Sequence, residues 1–175
     1  MYRSARALAL PLLLATLFLC ACLPTRLGGS ARFPGCTIPV FDATTPTGPS
    51  PTAPYFEEVS EITGMHVRWV HTEKDARFGV MITQVPAERP MRVMGSYEET
   101  LHGVDARGRH VVYGSIIRFR PAASAGIRRH ELGHLFNLAH NPRSALMQPS
   151  PYPNADFSSS ERSMMRAMAV RSGCR

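Results

Sequence analysis

The chain has 175 residues, of which 44% are hydrophobic, so it can form one ordinary domain with its own core but not two. Twenty Lys and Arg residues against 13 Asp and Glu residues give a net charge of +7. The arginines are scattered and no aromatic residues are interleaved with them, which argues against a nucleic-acid-binding surface. An attraction to anionic lipid or envelope polymers stays open.

The first 22 residues have the pattern of a secretion signal. Two arginines precede an apolar run over residues 7–19, which is too short to span a bilayer. The sequence LCAC at 19–22 is similar to a bacterial lipobox, which implies cleavage after Ala21 and a lipid on Cys22. We therefore expect a signal peptide over residues 1–21 and a membrane-anchored lipoprotein of the cell envelope. Simple cleavage and release as a soluble secreted protein is the alternative.

The next part of the chain, residues 22–54, is predicted to be a tether and linker. Glycine and serine near its start favour flexibility, and Thr37–Phe41 is a possible first strand. Residues 42–54 hold four prolines among threonine, serine and glycine, a composition typical of an extended linker. We therefore place the main domain at residues 55–175.

Apolar spacing and turn residues predict the elements of the main domain. Three helices are expected, over residues 55–62, 123–138 and 158–170. Four strands are expected between the first two helices, over residues 66–70, 78–85, 91–97 and 110–119. Gly64 would end the first helix, and Ser158 or Ser159 would cap the last one.

The most informative segment is HELGHLFNLAH at residues 130–140. His130 and His134 are four residues apart, so both rings lie on one face of a helix and can reach one metal ion. With His140, three neutral imidazoles leave a tetrahedral zinc one open position, where catalytic sites hold water. Glu131 is not needed as a ligand and is free to act as a base. These residues predict one catalytic Zn²⁺ ion and a hydrolytic reaction.

His140 sets a geometric condition on the chain. In a continuous helix it would lie about 9 Å further along the axis than His134, at about 1.5 Å per residue. Bonds from zinc to nitrogen are only about 2.0–2.1 Å long, so the chain must leave the helix between these two histidines. Asn137 is the residue best suited to the left-handed conformation that ends a helix.

This segment resembles the metzincin zinc peptidases, whose signature is H-E-x-x-H-x-x-G-x-x-H followed by a methionine turn. Asn137 stands where the family usually has glycine. Downstream, ALMQP at 145–149 is similar to the Met-turn of matrix metalloproteinases, where the methionine forms an apolar floor beneath the histidines. The resemblance implies that role for Met147, and a gap-filling core residue is the alternative. It also implies a metzincin-like α+β fold, with a twisted mixed sheet packed on an active-site helix, a Met-turn and a C-terminal helix.

The resemblance further implies an extracytoplasmic zinc endopeptidase in which Glu131 takes a proton from a zinc-activated water. A peptide or protein substrate would lie extended beside an edge strand, for which residues 91–97 are the candidate. Gln148–Phe157 would wall the pocket for the residue after the scissile bond, and Tyr152 would either pack there or donate a hydrogen bond to the intermediate. Two other classes stay open: a zinc hydrolase of non-protein envelope amide bonds, and a non-catalytic lipoprotein that uses zinc to hold its fold.

The four cysteines agree with export from the cytoplasm. Cys20 would leave with the signal and Cys22 would carry the lipid, which leaves Cys36 and Cys174. An oxidising compartment permits a disulfide between these two, and a pair of free thiols is the alternative.

Overall fold

The structure is a computed structural model, and it describes residues 30–31, 33, 36–45, 48–104 and 110–174. The expected signal peptide over residues 1–21 and the lipid-accepting Cys22 lie outside the described residues. Among the helices of the described part, none has the length and hydropathy needed to cross a membrane.

A mixed sheet of six strands forms the centre of the fold. In chain order the strands are β1 Ser30–Ala31, β2 Thr37–Asp42, β3 His66–Trp69, β4 Val80–Gln84, β5 Gly95–Val104 and β6 His110–Phe119. The main path across the sheet is β5-β6-β4-β2-β3, and the short β1 pairs with β6 beyond the end of β4. All these pairs are parallel except β5 with β6. Strand β5 is therefore an antiparallel edge strand, with one row of backbone groups that no other described strand pairs.

Three helices complete the described fold, α1 Ala53–Thr63, α2 Ala125–Leu135 and α3 Ser159–Arg171. Helix α1 ends at Gly64, which has the left-handed φ of 70° expected of a helix-ending glycine. Helix α2 begins at Ser124, whose side chain accepts a hydrogen bond from the Ile127 amide. Helix α3 begins at Ser158, which forms a reciprocal capping box with Glu161. The predicted end of α1 and the predicted cap of α3 are confirmed.

One apolar core joins the helices to the sheet. All three helices and strands β2, β4 and β6 contribute fully buried side chains to it. These include Ile38, Val40, Phe56, Val59, Val80, Ile82, Ile117, Leu132, Leu135 and Met165. The described residues thus form a mixed sheet with three helices around a shared core, as an α+β fold requires.

Strand β5 differs from its prediction. The sequence predicts a strand over residues 91–97, whereas the observed strand is Gly95–Val104. The first predicted residues instead form a turn. Arg120 holds it by donating to the Val93 carbonyl at 2.9 Å and to the Arg89 carbonyl, just before the turn, at 2.7 Å. The middle of β5 carries two glutamates and a threonine at 98–100 and is followed by a bulge, which hides its strand character in the sequence. The edge strand is present, but it is displaced along the chain.

Strand β2 lies deeper in the fold than the sequence suggests. Thr37–Asp42 runs between β3 and β4 in the middle of the sheet, and Ile38 and Val40 are fully buried. Residues ahead of position 55, which the sequence assigns to a tether and linker, therefore contribute a central strand to the same sheet.

The predicted disulfide is present between Cys36 and Cys174, with an S–S distance of 2.02 Å. It joins the residue before β2 to the segment that follows α3, across a sequence separation of 138 residues. The bond therefore ties the start of the described sheet to the end of the described chain.

Replacing both cysteines with alanine should lower the free energy of unfolding by about 4–5 kcal/mol, because the bond closes a long loop in the unfolded chain. Urea unfolding of the oxidised protein and of the Cys36→Ala, Cys174→Ala double variant measures this difference. The wild-type protein treated with a reducing agent should unfold like the double variant. A loss of less than about 1 kcal/mol would contradict the prediction.

Candidate metal centre

Helix α2 carries three of the four predicted site residues. The helix places His130 and His134 one turn apart, and it places Glu131 beside the first of them. His130 and Glu131 are both buried, with 3% and 4% of their surface exposed. A carboxyl group buried beside an imidazole loses its hydration, and this cost calls for a partner that compensates it.

The chain leaves α2 through Asn137, as the sequence predicts. Asn137 has a left-handed φ of 60°. Its amide donates to the His134 carbonyl at 2.9 Å, and the Leu138 amide donates to the Gly133 carbonyl at 3.0 Å. These two bonds form the Schellman motif that ends many helices. The turn brings His140 back towards the other two histidines.

The three predicted histidines converge on one point. His130 Nε2 lies 3.0 Å from His134 Nε2 and 3.1 Å from His140 Nε2. Two nitrogens bound to the same tetrahedral zinc at about 2.0–2.1 Å would be roughly 3.3 Å apart. The observed separations are close to that value, so the group could hold a metal ion.

Hydrogen bonds to the backbone fix which ring nitrogens face the centre. His130 Nδ1 donates to the Leu146 carbonyl and His134 Nδ1 donates to the Leu138 carbonyl, both at 2.8 Å. A carbonyl oxygen can only accept, so each Nδ1 carries the proton.

The same two rings are neutral. Burial lowers the pKa of both, to about 3 for His134, so neither ring holds a second proton near neutral pH. Their Nε2 atoms therefore present lone pairs to each other at 3.0 Å. Two facing lone pairs repel unless a cation lies between them, so the donor set itself fits a metal ion.

The carboxyl group of Glu131 lies between its own helix, α2, and the edge strand β5. Its carboxyl group has no hydrogen-bond donor among the described residues, and burial raises its pKa to about 8. Gly95 of β5 packs directly against it, because a Cβ atom built on that glycine would lie 2.8 Å from Glu131 Oε1. Only glycine lets the strand approach the carboxyl group this closely.

Met147 lies beneath the helical turn that joins the first two histidines. Its side chain is buried, and a Cβ atom on Gly133 would be 2.6 Å from its sulfur. The Met147 carbonyl also accepts a hydrogen bond from the Asn141 amide at 2.8 Å, next to His140 in the chain. Met147 therefore packs against α2 between the first two histidines.

Ser144 and Glu161 support the site, and sequence reasoning missed both. Ser144 Oγ accepts from the Leu146 and Met147 amides at 3.0 and 2.7 Å, and it donates to Glu161 Oε1 at 2.6 Å. The other Glu161 oxygen binds the cap of α3. A continuous chain of hydrogen bonds therefore runs from α3 through Ser144 and Leu146 to His130. The spacing of Ser158 and Glu161 is a sequence signal for a capping box, but no sequence signal shows that Glu161 also contacts Ser144.

The predicted pocket wall, Gln148–Phe157, packs on the start of α2. The Gly126 amide donates to the Pro153 carbonyl at 2.7 Å, and the Tyr152 carbonyl lies where a side chain at Gly126 would be. The Tyr152 side chain is 64% exposed. Tyr152 thus contributes its backbone to the wall, and the expectation that its ring packs there is wrong.

In comparisons with known proteins, no protein-family model matches the chain, and no curated protein matches it either. The structure brings together all four predicted site residues, the three histidines and Glu131.

Replacing His140 with alanine should weaken Zn²⁺ binding by more than about 100-fold, because two imidazoles alone leave the ion poorly coordinated. A competition titration with a chromophoric chelator measures the dissociation constant. His102→Ala removes an exposed histidine outside the group and should bind like the wild-type protein. Equal affinity for the His140→Ala variant would contradict the assignment.

Replacing Ser144 with alanine should weaken Zn²⁺ binding by about 10-fold, because the Leu146 carbonyl that orients His130 loses its support. The free energy of unfolding should also fall by about 1–3 kcal/mol, since two amides lose their acceptor. Ser163→Ala, on the exposed side of α3, is the matched control. Chelator titration and urea unfolding measure the two effects, and an unchanged zinc affinity would refute the supporting role.

Proposed function

We propose that the protein is a zinc-dependent endopeptidase of the metzincin type. The observation that carries this proposal is the convergence of three imidazole nitrogens with a buried carboxyl group beside them. The ligand motif, the left-handed turn at Asn137 and the buried Met147 all support it.

Zinc is the metal we propose, because three imidazoles with an open fourth position are typical of catalytic zinc. When bound, the ion would polarise the substrate carbonyl and make water a better nucleophile at neutral pH. Glu131 then acts as general base for the attacking water and afterwards as general acid for the departing amine. A nearby cation lowers the pKa of this buried carboxyl group, which keeps it ionised as a base.

A peptide substrate is favoured by the edge strand. Strand β5 runs beside α2, with Gly95 against Glu131 and the Tyr97 ring 6.1 Å from the His134 ring. An extended peptide that pairs with the outer side of β5 would therefore pass the candidate metal centre. The segment Gln148–Phe157 would then bound the pocket for the residue after the scissile bond, near the start of α2.

We also propose that the protein acts in the cell envelope, anchored through a lipid on Cys22. The lipobox-like sequence carries this part of the proposal, and the disulfide agrees with an oxidising compartment. Mass spectrometry of the mature protein from a bacterial membrane fraction should find a diacylglycerol-modified Cys22 at the amino terminus. An unmodified start at another residue would reject the anchor and leave the secreted form.

Glu131→Gln should reduce casein hydrolysis by about 10²–10⁴-fold, because the amide cannot accept the proton of the attacking water. Zinc content, measured by elemental analysis, should stay at one ion per chain, since Glu131 is not a ligand. Equal casein cleavage by the variant would contradict the role of the base. Turnover of envelope fragments without protein cleavage would favour the non-protein amide hydrolase. Bound zinc without any hydrolysis would favour the binding lipoprotein.

A further inference from the structure

Glu99 lies on the face of β5 that contacts the candidate metal centre. Side chains alternate along a strand, so Gly95, Tyr97 and Glu99 point to the same side. The first contacts Glu131 and the second lies beside His134. The bulge that disturbs this alternation comes only after Glu99. Glu99 is therefore the next side chain on this face, roughly 7 Å along the strand from Tyr97.

The direction of a bound peptide follows from what lies at each end of the β5 segment Gly95–Glu99. The segment that walls the proposed pocket packs on Gly126 at the start of α2. Gly95 is at the same end, since a Cβ atom on it would be 2.9 Å from the Ile127 side chain. The residue after the scissile bond would therefore lie at the Gly95 end. Residues before the scissile bond would extend towards Glu99, antiparallel to β5.

The Glu99 carboxylate has little compensation for its lost hydration. Its side chain is only 14% exposed, and its one ion-pair partner among the described residues is His102, at 3.8 Å and largely exposed. Burial raises the pKa of Glu99 above its ordinary value, and the nearby His102 partly offsets this. A bound cation stabilises a poorly hydrated carboxylate such as this one more than it stabilises a fully hydrated carboxylate.

The neighbouring Glu98 shows the opposite situation. It points to the other face of β5, its side chain is 53% exposed, and it already pairs with Arg118 at 2.6 Å. The two adjacent glutamates thus differ in face, exposure and partner, although the sequence does not distinguish them. Of the two, Glu99 faces the side of the candidate metal centre and has no lysine or arginine partner among the described residues, so it is the one available to a cationic group of a bound peptide.

We propose that Glu99 binds a lysine or arginine side chain of the substrate, on the amino-terminal side of the scissile bond. This inference rests on the proposed peptidase function and names the substrate class of the same site. With a rise of about 3.3 Å per residue, the basic residue is two to four positions before the scissile bond. The chain has a net charge of +7, so its overall field does not favour cationic peptides. The preference therefore arises locally, from this carboxylate.

The test uses a set of fluorogenic peptides that differ only by arginine or glutamine at each of the four positions before the scissile bond. For the zinc-loaded wild-type protein, kcat/KM should be at least about 10-fold higher with arginine at one of these positions, a difference of about 1.4 kcal/mol. Glu99→Gln should reduce this ratio to near one, and Glu99→Lys should reverse it, so that the glutamine peptide is cleaved faster than the arginine peptide. Glu98→Gln, one residue away on the other face, should keep the wild-type ratio.

A binding measurement separates this inference from the proposed function. Fluorescence anisotropy with the Glu131→Gln protein, with and without Glu99→Gln, compares the affinities of the arginine and glutamine peptides. If the wild-type protein cleaves peptides but the ratio is one, or persists in Glu99→Gln, the inference is wrong and the peptidase function stands. If no peptide is cleaved but the affinity ratio depends on Glu99, the inference stands and the peptidase function fails. If no peptide is cleaved and the affinity ratio is also one, both are wrong.

Discussion

The candidate centre depends on two hydrogen bonds from imidazole Nδ1 atoms to backbone carbonyls. His130 donates to Leu146 and His134 donates to Leu138, and both bonds turn the unprotonated Nε2 atoms towards a common point. The accepting carbonyls belong to the residue before Met147 and to the turn that ends α2. These two segments therefore orient the rings, and the third histidine joins them because the same helix end reverses the chain. Without these backbone acceptors the two rings could rotate, and nothing would keep their Nε2 lone pairs directed at the same point.

Features fixed within one or two turns of chain could be predicted from the sequence. The shared helix face of His130 and His134, the left-handed Asn137, the ends of α1 and α3 and the pairing of the two cysteines were all predicted and confirmed. Apart from the disulfide, each depends on a local rule, such as the helical period, the steric tolerance of asparagine for positive φ, or the capping preference of serine. The disulfide followed from elimination among four cysteines rather than from geometry.

Features that depend on distant segments could not be predicted. The sequence places β5 too early, because the turn before it is held by Arg120 from a different part of the chain. The support of the Met-turn by Glu161 depends on a contact across 17 residues that no periodicity signals. The different surroundings of Glu98 and Glu99 follow from the register of β5 against β6, which a single sequence does not reveal.

Helix α2 acts as the common support of these distant segments, and glycine makes that possible. Strand β5 approaches Glu131 at Gly95, the pocket wall crosses the helix at Gly126, and Met147 lies under Gly133. Glycine inside a helix costs about 1 kcal/mol relative to alanine, so two such residues in an 11-residue helix oppose its local preference. Close contact on several sides of the helix offsets that cost. It also leaves the histidines and Glu131 little room to move, and a rigid arrangement of this kind favours a catalytic centre over a loosely organised metal-binding surface.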